Sequence, residues 1–237
     1  MPGVLVNTLT VILGSLIGLA AAGHIKEKYT SAVMTAVGLC TLYIGIDGAL
    51  KGENTLVLIL SMALGAAVGT LLDLDGRINA VGAFFEKRFS KGEKKVSVTE
   101  GFVTASLLFC IGSMTVVGSL QAGLTGDNTL LYTKAVLDLI SSCILASTLG
   151  IGVLLAAAFV LVFQGALVLA AGLLAPLLTE TVQAEMICAG SVMIIALGLN
   201  LIGLTKIKVA NLLPAVAFAA VLTRPMNDFA AYLSTAF

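Results

Sequence analysis

Long apolar blocks separated by short polar stretches restrict this chain to a membrane fold. A helix needs about 20 mostly apolar residues to cross the hydrocarbon core of a bilayer. The blocks of roughly that length are 4–22, 32–50, 55–72, 101–124, 129–149, 151–174, 185–204 and 210–223. They predict an all-α, polytopic transmembrane bundle of about eight spans in a single domain, 1–237. The last block is short and the fifth and sixth almost touch, so seven spans with one re-entrant segment are the alternative.

Composition excludes several classes of function. The chain is 59% hydrophobic and 11% charged, with a mean hydropathy of +1.09, whereas soluble domains are about half apolar and a quarter charged. A net charge of zero gives no reason to expect a nucleic-acid partner. The four cysteines all lie inside apolar blocks without metal-ligand spacing, and no catalytic or nucleotide-binding motif occurs. We therefore expect no metal, no cofactor and no enzymatic activity.

The distribution of basic residues predicts the orientation. Lys and Arg concentrate in cytoplasmic loops. With both termini outside, ten of the 13 basic residues lie inside: Lys26, Lys28, Arg77, Lys87, Arg88, Lys91, Lys94, Lys95, Lys206 and Lys208. Only Lys51 and Arg224 remain outside, and Lys134 falls within a span. The sequence thus predicts a multi-pass inner-membrane protein with external termini.

Residues 73–100 form a long polar linker between the third and fourth spans. Its apolar residues fall near one helical face, with basic residues opposite: Ile78, Val81, Phe84, Phe85 and Phe89. This pattern favours an amphipathic helix lying on the anionic cytoplasmic leaflet. An ordinary solvated connector is the alternative.

A helix–turn–helix pattern occurs twice in the chain. Residues 38–58 and 112–132 share seven identities in 21 positions, including the turn words GENTL and GDNTL. Glycine adopts backbone angles that other residues avoid, and asparagine is a favoured helix N-cap. Asn54 and Asn128 are therefore interpreted as caps of a helical-hairpin turn, with a ligand-binding role as the alternative.

A third, gapped copy around 190–213 would have the opposite orientation in the membrane. Inverted repeats are typical of secondary transporters, whose substrates bind where the repeats meet. Equivalent positions near the end of the first helix in each copy carry Asp47, Gln121 and Asn200. Three polar groups at one repeated position suggest a binding site, although helix ends also tolerate polar residues.

Two ionisable residues lie well inside the fifth span. Asp138 falls near mid-depth and Lys134 lies one turn away, so the two can pair on one helix face. Each charge costs about 2.5–3.5 kcal/mol to insert. The pair either fixes packing or serves as a gate, proton carrier or ion site. Gln164 and Thr115 are expected near the same depth and could share one polar cavity with Asp138.

Two GxxxG motifs predict close helix packing. They are GSLIG, from Gly14 to Gly18, and GAAVG, from Gly65 to Gly69. Such faces serve either packing within the chain or a homodimer interface, and the sequence leaves both uses open.

The N-terminal stretch MPGVLVNTLTVILGSLIG and the block GDNTLLYTKAVLDLISS resemble the YdfK/YqgA-type family of uncharacterised bacterial membrane proteins, a domain of unknown function. The resemblance extends over the whole chain and implies a multispan protein of the bacterial cytoplasmic membrane. It implies no particular activity. The motif residues that carry over are Asn7, Thr8, Gly126, Asn128, Thr129, Lys134 and Asp138.

These patterns together favour a secondary transporter of an ion or small polar metabolite. Transport predicts a water-reachable cavity at mid-depth, lined by Asp138 and Gln164. The alternatives are a channel and a non-transporting scaffold or sensor, for which we expect a dry, closed bundle.

Overall fold

The chain forms a bundle of helices, as the sequence predicted. The computed structural model describes residues 1–22, 27–78, 80, 98–110 and 113–236, and all regular elements in these ranges are helical. The α-helices are α1 (Pro2–Ala22), α2 (Glu27–Ala49), α3 (Thr55–Leu71), α4 (Val98–Cys110), α5 (Ser113–Leu124), α6 (Thr129–Leu149), α7 (Gly152–Leu169), α8 (Ala171–Leu174), α9 (Glu180–Leu201) and α10 (Pro214–Ala236). A 3₁₀-helix covers Val209–Leu212. The expected surface helix falls mostly on residues 81–97, outside the described residues.

The helices support a membrane fold, while their lengths leave the number of spans open. Among the described residues, five segments are long and apolar enough to cross a bilayer: α1, α6, α7, α9 and Val209–Met226. Helices α4 and α5 meet at 57° and make a sixth if they form one bent span. The apolar segments Thr35–Ala49 and Thr55–Leu71 are shorter. The count of eight therefore stays a prediction.

Large apolar side chains cover the outside of the bundle. Leu50, Leu71 and Leu169 are each more than three-quarters exposed, and many other leucines, isoleucines and valines are about half exposed. Contiguous apolar surface of this kind is rare on soluble monomers. It fits contact with lipid chains.

Two parallel helix pairs form the first half of the bundle. Helix α1 runs along α6 in the same direction, because Gly3 lies against Leu131 while Gly14 lies against Ser142. A β-carbon at Gly14 would fall 2.3 Å from the Leu139 carbonyl oxygen. Helices α4 and α5 run parallel to α7 through contacts of Gly101 and Gly123.

Two antiparallel pairs form the second half. In the first, Gly38 of α2 lies against Gly198 of α9, and Gly48 lies against Ser191. In the second, Gly65 of α3 lies against Ala215 of α10. These directions, with those of the parallel pairs, fit strictly alternating crossings if α4 and α5 form one span.

We call the two halves the α1 group (α1 and α4–α7) and the α2 group (α2, α3, α9 and α10). The core of the α2 group is a small cluster of Val57, Ala189 and Ala219, whereas the larger core of the α1 group also includes Leu201 of α9. Contacts between α4 and α9 join the halves through a further cluster that includes Leu107, Met193 and Leu197. The bundle therefore has an internal boundary that runs along α4 and α9.

Both GxxxG motifs are used within the chain. Gly14 and Gly18 face α6, Gly65 faces Ala215, and a β-carbon at Gly69 would fall 1.9 Å from the Asn211 carbonyl oxygen. The packing alternative of the sequence analysis thus accounts for these faces. A homodimer stays a prediction, and it would have to form through a surface other than these two faces.

The first repeated turn is held from two sides. Asn54 caps α3, as predicted, because its Oδ1 accepts hydrogen bonds from the backbone N–H groups of Leu56 and Val57 at 3.1 and 3.4 Å. Glu185 of α9 reaches across and accepts from the N–H groups of Glu53 and Asn54, both at 2.7 Å. The turn is thereby fixed to the start of α9.

In the second repeated turn, the equivalent residues make different contacts. The predicted capping role of the Asn128 side chain is wrong. Asn128 occupies the cap position of α6 but makes no capping hydrogen bond there. Its Oδ1 accepts from the N–H of Gly3 in the first turn of α1 at 3.0 Å. Asp127 holds the start of α6 instead, because its Oδ1 accepts from the N–H and hydroxyl of Thr129.

Candidate solute-binding site

A buried ion pair on α6 is the centre of the candidate site. Lys134 and Asp138 lie one helical turn apart, are 5% and 6% exposed, and form a salt bridge between Nζ and Oδ2. The predicted pairing is therefore present. The Lys134 ammonium also lies 5.7 Å from the centre of the Phe109 ring on α4, a favourable cation–π distance.

A cavity of about 270 Å³ opens onto this ion pair at the boundary between the two halves of the bundle. We call it the Asp138 cavity. Its polar walls are Lys134 and Asp138 from α6, Asp47 and Lys51 at the end of α2, and Ser191 of α9. Apolar residues of α2, α4, α5, α6 and α9 complete the walls. The cavity thus brings Asp47 to the same site as Lys134 and Asp138.

The cavity contains two ion pairs of the same helical spacing and different burial. Asp47 and Lys51 form a salt bridge of 3.3 Å and are both more than half exposed. An exposed pair of this kind contributes little to stability. The outer pair can therefore exchange partners at small cost, whereas the buried pair cannot lose one partner without a large penalty.

A buried amide pair lies behind the ion pair. The Asn7 side chain of α1 donates through Nδ2 to Oε1 of Gln164 on α7 at 3.3 Å, and it also interacts with the Asp138 carboxylate. Both amides are fully buried. Gln164 is therefore linked to Asp138 through Asn7, and it is not among the residues that line the cavity. Gln164 therefore lies behind the ion pair and does not line the Asp138 cavity.

The other predicted site residues lie elsewhere. Gln121 is exposed on α5. Asn200 lines a different cavity, where its side chain binds Thr205 and the backbone of Ile207. Thr115 donates its hydroxyl to the Phe109 carbonyl at 2.7 Å, which ties α5 to the end of α4. The three repeat positions therefore do not converge on one site.

The sequence analysis missed Lys51 in the site and Glu185 at the first repeated turn. Lys51 was counted only as an external charge, although its spacing from Asp47 matches that of the Lys134–Asp138 pair. Glu185 was treated as the edge of a span, yet α9 begins five residues earlier and Glu185 is 1% exposed. A carboxylate within an apolar helix was the signal that could have identified it.

Comparison with known proteins places the whole chain among bacterial membrane proteins. Over 233 residues it is 34% identical to the uncharacterized membrane protein YdfK of Bacillus subtilis (strain 168), covering 97% of this chain and 98% of that protein. Over 220 residues it is 30% identical to the uncharacterized protein YqgA of Escherichia coli (strain K12), covering 92% and 94%. No solved structure matches the chain.

The family profile extends from residue 2 to residue 224 and so includes all the residues of the Asp138 cavity. This match and the two relatives confirm the resemblance seen in the sequence. The chain belongs to the protein family of unknown function DUF554.

Proposed function

We propose that the protein is a secondary transporter of an ion or small polar solute, and that the solute binds in the Asp138 cavity. The observation that carries the proposal is the position of the buried Lys134–Asp138 pair at a cavity between two groups of helices. An ion pair that only stabilises helix packing needs no cavity beside it, whereas an ion pair that binds a solute needs one.

The arrangement of the helices supports the same function. Alternating access in secondary transporters is largely the rocking of one helix group against another around a central site. In this bundle the α1 group contributes Lys134 and Asp138, while the α2 group contributes Asp47, Lys51 and Ser191. Relative movement of the groups would therefore change the access to the site.

The ion pair supplies a means of coupling. A solute or ion that binds Asp138 must replace part of its interaction with Lys134, because neither charge can remain buried alone. Binding would thus change the position of Lys134, which also contacts α4 through Phe109. We place the protein in the bacterial cytoplasmic membrane with both termini outside, on the basis of its charge distribution.

The test uses purified protein in proteoliposomes and the double variant Lys134→Met/Asp138→Leu. Replacing both members of a buried ion pair with apolar residues is often neutral or stabilising by about 1–4 kcal/mol. We expect the double variant to fold as well as wild type and to lose flux. Flux is measured with an entrapped pH-sensitive dye for protons, with radioactive sodium and rubidium, and with radiolabelled L-alanine.

Thr133→Val is the matched control, because Thr133 lies exposed on α6 beside Lys134 and its hydroxyl donates to the Thr129 carbonyl of the same helix. It should keep wild-type flux. Asp138→Asn alone should destabilise the protein by about 3–5 kcal/mol, since it leaves Lys134 buried without a counter-charge. Unchanged flux in the double variant would contradict the proposed role of the pair, and a wild type without any of these fluxes would favour a scaffold.

A further inference from the structure

A second cavity lies on the same boundary at the other ends of α4 and α9. We call it the Glu100 cavity, and its volume is about 400 Å³. It is lined on one side by Thr99 and Glu100 of α4 and on the other by Asn200 of α9 and the segment that follows it, including Lys206 and Lys208. The charge distribution that sets the predicted orientation places this end in the cytoplasm.

The two cavities are separated by one apolar wall. Helix α4 contributes Thr99 to the Glu100 cavity and Leu108 to the Asp138 cavity, a separation of about 13 Å along the helix. Helix α9 likewise contributes Leu197 to one and Ile194 to the other. Ile194 and Leu197 belong to a single buried cluster that includes Leu107, and Leu108 packs against this cluster. A transport path along α4 and α9 would therefore pass through one cavity on each side of this wall. We call each of these two cavities a station of the path.

Both stations present charges of both signs. The Asp138 cavity contains two carboxylates and two ammonium groups. The Glu100 cavity contains Asp75 and Glu100 together with Lys206 and Lys208, and hydroxyl and amide side chains lie between them. The described residues place no ion-pair partner beside Glu100, whereas the ammonium groups of Lys206 and Lys208 are exposed at the mouth.

We propose that the Glu100 cavity is the inner station of the transport path and that the solute is a small zwitterion, with an ammonium group for Glu100 and a carboxylate for Lys206 or Lys208. A simple cation or anion would match only half of the charges in each cavity. A solute with both groups could exchange partners with the ion pairs of the Asp138 cavity, and it could supply partners to Glu100 and to Lys206 or Lys208 in the Glu100 cavity. This inference rests on the proposed transport function and specifies its substrate class.

The experiment measures occupancy of the Glu100 cavity directly. Ile207 lines the cavity and is 39% exposed, so Ile207→Cys provides a site for maleimide labelling. The background carries replacements of the four native cysteines, Cys40, Cys110, Cys143 and Cys188. We expect L-alanine to slow the labelling in a saturable manner. Propionate and ethylammonium, which each carry one of its charges, should have little effect at the same concentration.

Glu100→Gln should raise the alanine concentration needed for half-protection by about tenfold, which corresponds to loss of one charge-assisted hydrogen bond. Glu180→Gln is the matched control, because Glu180 also lies in the first turn of its helix and does not line the cavity. If Glu100→Gln fails to fold, Lys206→Gln/Lys208→Gln tests the other half of the site at exposed positions. It should weaken protection to a similar extent.

The outcomes separate this inference from the proposed function. Absence of protection by alanine, or equal protection by propionate or ethylammonium, would overturn the zwitterion inference, even if proteoliposomes carry another solute. Protection that Glu100→Gln leaves unchanged would overturn the assigned role of Glu100. Saturable protection without any alanine flux would support the binding site and contradict its place in a transport path.

Discussion

The side chain of Glu185 links two helical hairpins that are far apart in the sequence. Its Oε1 accepts two backbone hydrogen bonds from the α2–α3 turn, while its buried Oε2 has no hydrogen-bond partner among the described residues. A hydrogen bond to a charged group contributes about 1.5–3 kcal/mol. Glu185 is therefore a structural residue of the turn, because its Oε1 is the acceptor for these two N–H groups.

Glu185→Ala should lower the free energy of unfolding by about 1–3 kcal/mol, because it leaves two donors of the turn without an acceptor. Glu185→Gln keeps the accepting oxygen and should cost less. Unfolding in mixed detergent micelles provides the measurement. Glu180→Ala, at an exposed position of the same helix, should stay within about 0.5 kcal/mol of wild type. Equal effects of Ala and Gln at position 185 would show that the carboxylate oxygen is not the important acceptor.

Asp127, in the second repeated turn, makes a pH-dependent contribution to the stability of the folded protein. Hydrogen bonds from the hydroxyl and then the backbone N–H of Thr129 hold the pKa of the Asp127 carboxyl below its ordinary value. A carboxyl with a lowered pKa in the folded state adds stability above its unfolded pKa of about 3.9. That stability is lost as the pH falls through the folded pKa.

We expect the melting temperature of wild type to exceed that of Asp127→Asn at about pH 6, and this difference to shrink as the pH falls below about 4. Melting curves in detergent over this range test the expectation. Asp47→Asn is a control for the general loss of one exposed carboxylate. A difference that grows as the pH falls would have the wrong sign for a capping carboxylate.

The residues of the site differ in how far the sequence could predict them. The Lys134–Asp138 pair follows from local helix geometry alone, so its spacing was sufficient. Asp47 reaches the same cavity only because α2 packs beside α9 and faces α6, which no local pattern encodes. Gln164 shows the converse, because its depth in the span was estimated from its position while its helix face was unknown. It points to Asn7 and not into the cavity.

Among the elements, α1 and α6 provide the most closely packed pair. The α1 backbone can approach α6 because Gly14 and Gly18 have no β-carbon. Gly14→Ala would place that carbon 2.3 Å from the Leu139 carbonyl oxygen and 2.1 Å from the Ser142 hydroxyl. The helices would have to move apart, and Asn7 and Asp138 lie on the same interface.

Gly14→Ala should therefore cost about 1–3 kcal/mol of stability through overpacking and should also reduce transport. Gly172→Ala is the matched control, since no atom of the described part of the chain lies within 4 Å of the β-carbon that it adds. Thermal unfolding and flux in proteoliposomes measure the two effects. Wild-type stability of Gly14→Ala would contradict the close approach of α1 and α6.

The element boundaries show where sequence patterns suffice. The predicted span 129–149 matches α6 because a polar turn precedes it and Gly150, with a φ of 73°, follows it. The division of the predicted span 101–124 into α4 and α5 was missed, since no proline or charged residue marks it. The predicted span 151–174 likewise continues past the end of α7 at Leu169 into the short α8. Uniformly apolar sequence does not reveal where a helix bends.

At the scale of the whole molecule, the two cavities should face opposite sides of the membrane. Lys51 lines the Asp138 cavity and Lys206 lines the Glu100 cavity. In a background without native cysteines, Lys51→Cys should react with an impermeant maleimide added to intact cells. Lys206→Cys should react only after the cells are opened. The reverse pattern would invert the predicted orientation, and reaction of both from outside would contradict cavities on opposite sides.

The pairing of α1 with helices from the distant part of the chain has a consequence for how the protein is made. The hydrogen bond between Asn7 and Gln164 joins residues 157 positions apart. At a synthesis rate of about 5–20 residues per second, α1 leaves the ribosome roughly 8–30 s before its partner on α7 exists. Helices α2 and α3 wait a similar time for α9 and α10, because Gly45 and Ile195, like Gly65 and Ala215, are 150 positions apart. The nascent chain therefore holds a polar amide on α1 and several uncovered glycine faces until the later helices have been made.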